Sequence, residues 1–401
     1  MEKVHTSNLE QFKQQLAGEK SDIEIPLTDR KVFEVVKNIV VTIPASYAGV
    51  GHIRTIFPSN YLNAVFGKSN KLQTIVSPFF PTQKDILLRT KAIWFQRVMN
   101  PKHVDIIEQY RQKKDALKIK MVYDIDDFIW KGDREGECIP EYNNGREGVT
   151  DEIRSASVEI MKRMDLITVS SQFLGDYITN TLNVDVPIRL LENRVFKAFW
   201  GDQRKSPIVK KIEKPKIIWT ASPTHWSDRL GLKGDIDNAW CEYVLKNVKD
   251  GKIQFFNMGC NKVPFYFKEL EGHKDYFIVP WTNSYLYHLP VKKINADFSI
   301  GPLVPNFFNY SKSCIKMQES YANGSAFIGT TFTNGYASPY DNSFLTLKDN
   351  CTVKDIEDMI DEYSEPEKYN EIITKQYDAM KDNDWYYESA GYIKQLLDCL
   401  S

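Results

Sequence analysis

Cysteine is scarce in this sequence and follows no spacing that suits a metal site or a disulfide framework. The 401 residues contain six cysteines and no CxxC pair. They stand at Cys138, Cys241, Cys260, Cys314, Cys351 and Cys399. Zinc sites draw on closely spaced cysteine or histidine ligands, and disulfide-stapled proteins are short and rich in cysteine. The pattern argues against both and is typical of a protein in a reducing compartment.

Long apolar segments are also missing. The chain has no uninterrupted apolar stretch of the roughly 18 residues that a membrane-spanning helix needs. Its first residues, MEKVHTSNLEQFKQQ, lack the apolar core of a secretion signal. We therefore expect no membrane span, no secretion and a cytoplasmic location.

Neither sign of charge dominates the composition. Lysine and arginine number 52 against 53 aspartates and glutamates, which leaves a formal net charge of -1. No global basic field therefore attracts nucleic acid or a membrane surface, and a polyanionic partner would have to meet a local patch.

The sequence does contain a regular alternation of short apolar runs with longer helix-like stretches, which predicts an α/β fold. The first series of runs comprises 37–44, 72–78, 92–98, 119–126, 166–171 and 187–193, and the second comprises 216–222, 253–259, 276–281, 296–302, 325–330 and 342–347. A stretch rich in lysine and proline, 199–216, separates them and has the composition of a linker. We predict two doubly wound parallel sheets, followed by a helical tail from Val353 to Leu400.

Loops that follow strands are the first place to look for function, because ligands of open α/β sheets bind at the carboxyl ends of the strands. The loop after the first strand, IPASYAGVGHIRTIF, contains Gly49, Gly51, His52 and Arg54. Glycines let the backbone approach a ligand, and an arginine near a helix start can hold an anionic or hydroxyl-rich one. A purely structural turn suits the same glycines, and the sequence leaves both interpretations open.

Three carboxylates follow the fourth predicted strand in VYDIDDFIW, at Asp124, Asp126 and Asp127. Such a group can ligate a divalent metal, orient a sugar hydroxyl or accept its proton. Aspartate is also favoured as a cap wherever a strand ends. We favour function, because carboxylates this close repel one another unless something cationic or hydroxylic is near.

The corresponding loop of the second sheet, WTASPTHWSDRLGL, carries Ser222, Thr224, His225 and Arg229. Small polar residues at a helix start can hold a phosphate, and His225 or Arg229 would add positive charge or a proton donor. A lone histidine is more often a satisfied polar residue. Only its position at the predicted cleft favours a role.

The segment NFFNYSKSCIKMQESYANG, residues 306–324, places Lys312, Lys316 and Glu319 on a predicted helix that also carries an apolar face. An ordinary helix exposes such charges to solvent. The positive end of a helix also favours phosphate, so the two lysines are candidates for an anion site.

Taken in order, several segments resemble nucleotide-sugar glycosyltransferases of the GT-B type. They are YAGVGHIRTIFPSNYL, VYDIDDFIW, DLITVSSQFL, LLENRVF, IIWTASPTHWSDRL, ADFSIGPLVPNFFNYSKSCIKMQESYANG and NGYASPYDN, spread over roughly residues 38 to 350. The resemblance implies two Rossmann-like domains facing a cleft, with residues 1–200 binding the acceptor and 201–370 binding the nucleotide sugar. It further implies that the tail, 371–401, crosses back onto the first domain.

The resemblance also assigns roles to residues. Glu319 matches the family glutamate that holds the donor ribose, whereas the glutamate expected eight positions earlier is replaced by Ser311. Lys312, Ser313 and Lys316 would then contact the diphosphate. Gly259 and Trp281 would lie beside the base, and Asp126 or Asp127 would act on the acceptor hydroxyl. Similar enzymes commonly need no metal or other cofactor beyond the nucleotide sugar, and the retaining members suggest retention of configuration.

The acceptor is the least constrained part of the prediction. YDIDDFIW, SPTHWSD and the KSxxK helix are similar to glycosyltransferases of large tailed bacteriophages, some of which transfer glucose or arabinose to 5-hydroxymethylcytosine in double-stranded DNA. Basic clusters at 68–71, 111–120 and 204–216 would then contact phosphates, although such clusters are more often solvated surface. A polysaccharide or small-molecule acceptor and a non-enzymatic nucleotide-sugar-binding protein remain alternatives. The sequence predicts no oligomeric state.

Overall fold

The computed structural model describes residues 37–47, 49–69, 71–130, 150–201, 205–222, 225–226, 233–236 and 239–401. Within them lie two six-stranded sheets in which every strand pair is parallel. The first sheet contains β1 (Ile39–Ile43), β2 (Gln73–Val76), β3 (Thr90–Gln96), β4 (Lys120–Ile125), β5 (Leu166–Val169) and β6 (Ile188–Leu190). The second contains β7 (Lys216–Thr220), β8 (Gln254–Met258), β9 (Tyr276–Val279), β10 (Phe298–Gly301), β11 (Ala326–Thr331) and β12 (Leu345–Lys348).

Each predicted apolar run overlaps one strand, and the predicted α/β class is confirmed. Most strands are shorter than their runs, because the last residues of a run often belong to the loop that follows. The strand order is β2-β1-β3-β4-β5-β6 in the first sheet and β12-β11-β10-β7-β8-β9 in the second. Both are doubly wound orders, so each sheet has a point where the chain reverses direction across it and a crevice opens at the strand ends.

Helices connect most of the strands. The first helical region runs without a break from a turn at Gly49–Gly51 through a π-helical segment at His52–Ile56 into α1 (Phe57–Phe66). The other α-helices are α2 (Lys84–Arg89), α3 (His103–Leu117), α4 (Asp151–Met161), α5 (Gln172–Asn180), α6 (Lys197–Trp200), α7 (Ala239–Lys249), α8 (His288–Ile294), α9 (Phe307–Tyr310), α10 (Ile315–Asn323), α11 (Val353–Glu362), α12 (Pro366–Asp382) and α13 (Ala390–Cys399). Short 3₁₀ helices lie at Gly67–Ser69, Gly234–Ile236 and Phe265–Leu270.

The last helix crosses back onto the first sheet. Leu396 and Cys399 of α13 belong to the hydrophobic cluster that contains Val40, Trp94 and Val122. Neighbouring residues of these strands face the opposite cluster, because side chains alternate along a strand. The first sheet is thus buried on both faces, and α13 supplies part of one cover.

A buried ion pair joins the helical region after β1 to β4, and further hydrogen bonds join it to the segment after β6. The Arg54 guanidinium donates from Nε to Asp124 Oδ2 at 3.0 Å and contacts Asp124 Oδ1 at 2.5 Å. It also donates to the Leu191 carbonyl and, at 3.0 Å, to Asn193 Oδ1. Thr168 Oγ1 donates to Asp124 Oδ1 at 2.6 Å. All of these groups lie inside the first domain, so Arg54 does not hold a ligand as the sequence suggested.

We expect Arg54→Met to lower the free energy of unfolding by about 3–5 kcal/mol, because it leaves the buried Asp124 carboxylate without its cation. Urea unfolding measures the change. The matched control is Lys354→Met, which breaks an ion pair whose side chains are 77% and 63% exposed and should leave the free energy of unfolding nearly unchanged. Equal effects of the two substitutions would show that the Arg54 pair is not a structural anchor.

Candidate functional site

A cavity of about 270 Å³ lies between the carboxyl ends of the two sheets. From the first domain it is lined by Gly49, Val50, Ile53, Phe57, Arg194, Val195, Phe196, Phe199 and Trp200. From the second it is lined by Thr220, Ala221, Ser222, His225, Met258, Gly259, Trp281, Thr282, Ser284, Tyr287, His288, Ile315, Lys316 and Glu319, and Tyr387 of the crossing tail completes it. The loops after β7 and β10 meet here because these neighbouring strands flank the reversal point of the second sheet.

The cavity brings together many of the residues that the sequence singled out. Gly49, Ser222, His225, Gly259, Trp281, Lys316 and Glu319 all line it. Thr224 and Arg229 lie outside the described residues. Lys312 lies beside the cavity, with its Nζ 3.5 Å from His225 Nε2.

A cluster of charges forms the polar end of the cavity. His225 Nδ1 lies 2.6 Å from Asp235 Oδ2, and its Nε2 lies 3.2 Å from Lys316 Nζ. Asp235 is fully buried, and Asn309 Nδ2 donates to its other oxygen at 2.6 Å. Two lysines thus meet one imidazole, and a buried carboxylate lies behind it.

Both lysines are harder to protonate than free lysine. Burial, together with the neighbouring charge of Lys312, lowers the pKa of Lys316 to about 7. Burial also lowers the pKa of Lys312, against the attraction of Asp235 and Asp127. The cleft therefore holds cations at a considerable energetic cost, and an anion placed there would recover it.

His225 does not add positive charge, contrary to one role predicted for it. Burial and the charges of Lys312 and Lys316 lower its pKa to about 3, although Asp235 acts in the opposite direction. The pKa of Asp235 is lowered even though burial alone would raise it, because His225 and Asn309 donate hydrogen bonds to it and Lys312 is near. The ring is therefore neutral and its carboxylate partner charged.

Glu319 lies at the other side of Lys316. The Tyr287 hydroxyl is 3.4 Å from Glu319 Oε2 and can donate to it. Burial raises the pKa of Glu319 to about 8, against the opposing effects of Lys316 and of the Tyr287 hydrogen bond. A carboxyl group in this state exchanges readily between donating and accepting hydrogen bonds, which suits recognition of paired hydroxyls.

The lysine-bearing segment is two helices and not the single helix that the sequence predicted. Helix α9 ends at Tyr310 and α10 begins at Ile315, so Lys312 lies in the break between them. The break contacts the first domain: Phe128 N donates to Ser311 Oγ at 3.1 Å and Asn193 Nδ2 donates to Ser313 Oγ at 2.7 Å. Ser313 was predicted to contact a diphosphate, but here it joins the two domains.

The carboxylates after β4 separate into two environments. Asp124 points inward to Arg54, whereas Asp127 Oδ2 lies 2.8 Å and Asp126 Oδ1 3.6 Å from Arg97 NH1. Burial and the charge of Asp127 raise the pKa of Asp126 to about 7. Asp126 Oδ1 has no hydrogen-bond partner among the described residues.

Sequence reasoning missed Arg97, Asp235 and Tyr287. Arg97 follows β3 with φ +48, a conformation that is uncommon outside glycine and therefore notable at a strand end. The other two carry no local pattern, because their roles depend on the distant residues that they contact.

Two further predicted residues of the first loop, Gly51 and His52, do not line the cavity. The His52 ring lies edge-on to Tyr285 at a centroid distance of 5.0 Å and beside Phe57 at 5.2 Å. At Gly51, a Cβ atom would lie 1.7 Å from the Ser46 carbonyl oxygen, so glycine is required for the helix to start here. Among these loop residues, Gly49 reaches the cavity directly.

The basic cluster at 111–120 lies away from the cleft. Lys114 and Lys118, with Lys37, Lys91 and Lys120, line a surface depression at the amino ends of β1, β3 and β4. In a parallel sheet the amino ends lie at the edge opposite the carboxyl ends. A phosphate backbone bound there would not reach the cleft directly.

Among the described residues, no group of three histidine, cysteine, aspartate or glutamate side chains could hold a metal ion. None of the described helices is both long enough and apolar enough to cross a membrane.

Comparison with solved structures identifies the fold. No family model and no curated protein matches the chain. Sucrose-phosphate synthase from Thermosynechococcus elongatus is similar at a TM-score of 0.54 and 9% identity, over 90% of this chain and 98% of that one. HepE from Anabaena in complex with UDP is similar at 0.54 and 8% identity, over 91% and 99%. HepE in complex with UDP-glucose gives 0.54 and 8% over 90% and 99%. The two Rossmann-like domains facing a cleft have the GT-B arrangement.

We expect Lys316→Met to stabilise the ligand-free protein by roughly 1–3 kcal/mol at pH 6, the range for relieving a poorly compensated buried polar group. The pKa of Lys316 is about 7 in the folded protein and 10.5 ordinarily. Below pH 7 the lysine is charged in both states and the folded state bears the whole penalty, which disappears between pH 7 and 10.5. Urea unfolding at pH 6 and pH 9 should therefore show a smaller gain at pH 9.

The control for this prediction is Lys293→Met on the exposed side of α8, which should give the same small change at both pH values. A Lys316→Met variant that is destabilised at pH 6, or whose gain grows with pH, would contradict the electrostatic account of the cleft.

Proposed function

We propose that the protein is a glycosyltransferase that moves a sugar from a nucleotide-diphosphate sugar, a UDP-linked glucose or pentose, to a hydroxyl group. The observation that carries the proposal is the position of Lys316 and Glu319 on one side of α10, both lining the cavity between the two domains. HepE, which shares the fold, has been solved with UDP and with UDP-glucose. That precedent supports UDP as the nucleotide.

The donor is proposed to lie along the second domain. Its diphosphate would meet Lys316 and Lys312, whose pKa values are lowered by burial and, for Lys316, by the charge of Lys312. The positive end of α10 adds to their field. Glu319 would hold the ribose hydroxyls, and Gly259 and Trp281 would flank the base.

The chemistry follows from where charge develops. The bond between the anomeric carbon and the β-phosphate oxygen breaks with both electrons left on the phosphate, and a bond forms from the acceptor oxygen to the anomeric carbon. Fixed cations beside the β-phosphate lower this barrier because they stabilise the negative charge of the leaving diphosphate. The acceptor proton passes to a carboxylate, for which Asp127 or Asp126 is the candidate.

Asp126 is suited to this role by its environment. A pKa of about 7 makes its carboxylate a stronger base than ordinary aspartate while leaving a large fraction ionised near neutral pH. Arg97 fixes the pair in place. Asp127 also contributes to the charge felt by Lys312, so the acceptor group and the donor cations lie close enough to interact.

For the acceptor, we propose 5-hydroxymethylcytosine in double-stranded DNA. The first-domain wall of the cavity is largely aromatic, with Phe57, Phe196 and Phe199, and such a wall suits an extruded base. The basic cluster at 111–120 lies at the far edge of the sheet, so phosphate contacts would have to come from elsewhere. A ring of a polysaccharide or of a small molecule would pack on the same wall and is the alternative.

Replacing Glu319 by glutamine tests the donor assignment. We expect Glu319→Gln to weaken UDP binding by about 1–3 kcal/mol at pH 9, above the Glu319 pKa of about 8, because the ionised carboxylate can accept from both ribose hydroxyls whereas the amide accepts through its oxygen alone. Titration calorimetry measures the change, with Glu362→Gln on the exposed face of α11 as the control. An unchanged affinity in a folded Glu319→Gln variant would remove Glu319 from the donor site.

An acceptor panel tests the reaction. The protein is incubated with UDP-glucose or UDP-arabinose and with hydroxymethylated duplex DNA, plain duplex DNA or an oligosaccharide, and the nucleosides and glycans are then weighed by mass spectrometry. We expect one added sugar on hydroxymethylcytosine alone, and none from Asp127→Asn, which should retain DNA binding. Lys113→Glu with Lys118→Glu should leave transfer unchanged, because both lie near the far edge.

Each other outcome of the panel identifies an alternative. Hydrolysis of the nucleotide sugar without transfer to any DNA favours the polysaccharide or small-molecule acceptor. Tight UDP-sugar binding without turnover on any acceptor favours a nucleotide-sugar-binding protein.

A further inference from the structure

The reaction proposed above assigns no role to the imidazole of His225. It is only 5% exposed and lies between the buried Asp235 carboxylate and the ammonium groups of Lys312 and Lys316. With its pKa lowered to about 3, chiefly by burial, the ring is neutral near neutral pH and carries no imidazolium proton to give to a leaving group.

The neighbours of the ring determine where its proton lies. The Asp235 carboxylate can only accept hydrogen bonds, so Nδ1 carries the hydrogen and donates it to Oδ2 at 2.6 Å. Nε2 is left with a lone pair, which accepts from Lys316 at 3.2 Å. The protonated form of Lys316, which can only donate, requires the same tautomer.

Asp235 is itself held rigidly. Asn309 Nδ2 donates to Oδ1 at 2.6 Å, and the Val304 amide donates to the same oxygen at 3.3 Å. Gly234, with φ +65, brings this turn against the His225 backbone: a Cβ atom there would lie 2.0 Å from the His225 carbonyl oxygen. The imidazole, the carboxylate and the turn thus form one packed unit.

This packed unit counters the electrostatic repulsion between Lys312 and Lys316. Two ammonium groups close together repel, and each is carried on a flexible side chain with many rotamers. The Nε2 lone pair of His225 faces both lysines, and the negative charge of Asp235 lies behind the ring. Together they offset the repulsion between the two ammonium groups and restrict the rotamers of both lysine side chains. The cations are then already in place when an anion arrives, which lowers the entropic cost of binding it.

We propose that His225 is a positioning residue, whose Nε2 lone pair holds Lys316 and Lys312 side by side for the donor diphosphate while Asp235 fixes its tautomer. The identity of the anion rests on the proposed function. The tautomer and the lysine contacts do not, so they can be tested separately.

The first test needs no substrate. Nitrogen NMR of the protein labelled with ¹⁵N-histidine should show His225 protonated at Nδ1, unprotonated at Nε2, and unchanged from pH 8 to pH 5. In Lys316→Met the ring should become protonated at higher pH than in the unchanged protein, because one of the charges that lower its pKa is gone. An Nε2-protonated ring, or one that titrates as free histidine does, overturns the proposal whether or not UDP binds.

The second test compares two amides that mimic different halves of the ring. In His225→Asn the amide NH₂ can still donate to Asp235, but nothing replaces the acceptor at Nε2. In His225→Gln the amide oxygen can reach the Nε2 position and accept from the lysines, while the Asp235 contact is lost. A role in packing alone would affect both variants equally.

Calorimetry with UDP as the probe measures the difference. We expect His225→Asn to bind UDP about 10- to 100-fold more weakly, the equivalent of a lost hydrogen bond to a charged group, and His225→Gln less than about 10-fold more weakly. Equal losses in the two variants, or unchanged affinity in a folded His225→Asn, overturn the positioning role. If the unchanged protein binds no UDP while His225 shows the expected tautomer, the proposed donor is wrong and the lysine arrangement stands.

Discussion

Two like charges held together in a cleft are the constraint on which this site depends. Lys316 and Lys312 approach the same imidazole nitrogen, and burial would drive either of them towards its neutral form. The surrounding groups offset that tendency: His225 accepts, Asp235 supplies the negative charge, and Glu319 lies on the far side of Lys316. An incoming anion would complete the balance, and this is the electrostatic argument for the proposed diphosphate ligand.

The same cluster links the two halves of the protein. The break between α9 and α10 carries Lys312 and also receives the hydrogen bonds from Phe128 N and Asn193 that cross the domain boundary. Ser311 also lies in this break, and its hydroxyl oxygen is the acceptor of the Phe128 hydrogen bond. The break thus connects the segment that carries Lys312 to Phe128, the residue that directly follows Asp126 and Asp127.

The fold was largely predictable because its signal is local. A strand buried on both faces is a continuous apolar run, so all twelve runs predicted strands and their spacing predicted two parallel sheets. The position of Lys316 and Glu319 on one side of a helix was also predictable, because residues three apart on a helix are neighbours on its surface. The break before Ile315 was not predictable: the segment has ordinary helix formers, and contacts with the first domain decide where the helix stops.

By itself, the sequence determined the α/β class, the strand-end loops that carry polar residues and the charges near α10, since these depend on periodicity and on neighbours along the chain. Only the tertiary structure decided what the charges do. Arg54 looked like a residue that binds an anionic ligand, yet its guanidinium forms a buried ion pair with Asp124, 70 residues away. His225 looked like a cation, yet Asp235 and two lysines about 90 residues later make it a hydrogen-bond acceptor. The protonation state of a buried group is set by the partners that folding brings to it, and those partners leave no pattern beside it in the chain.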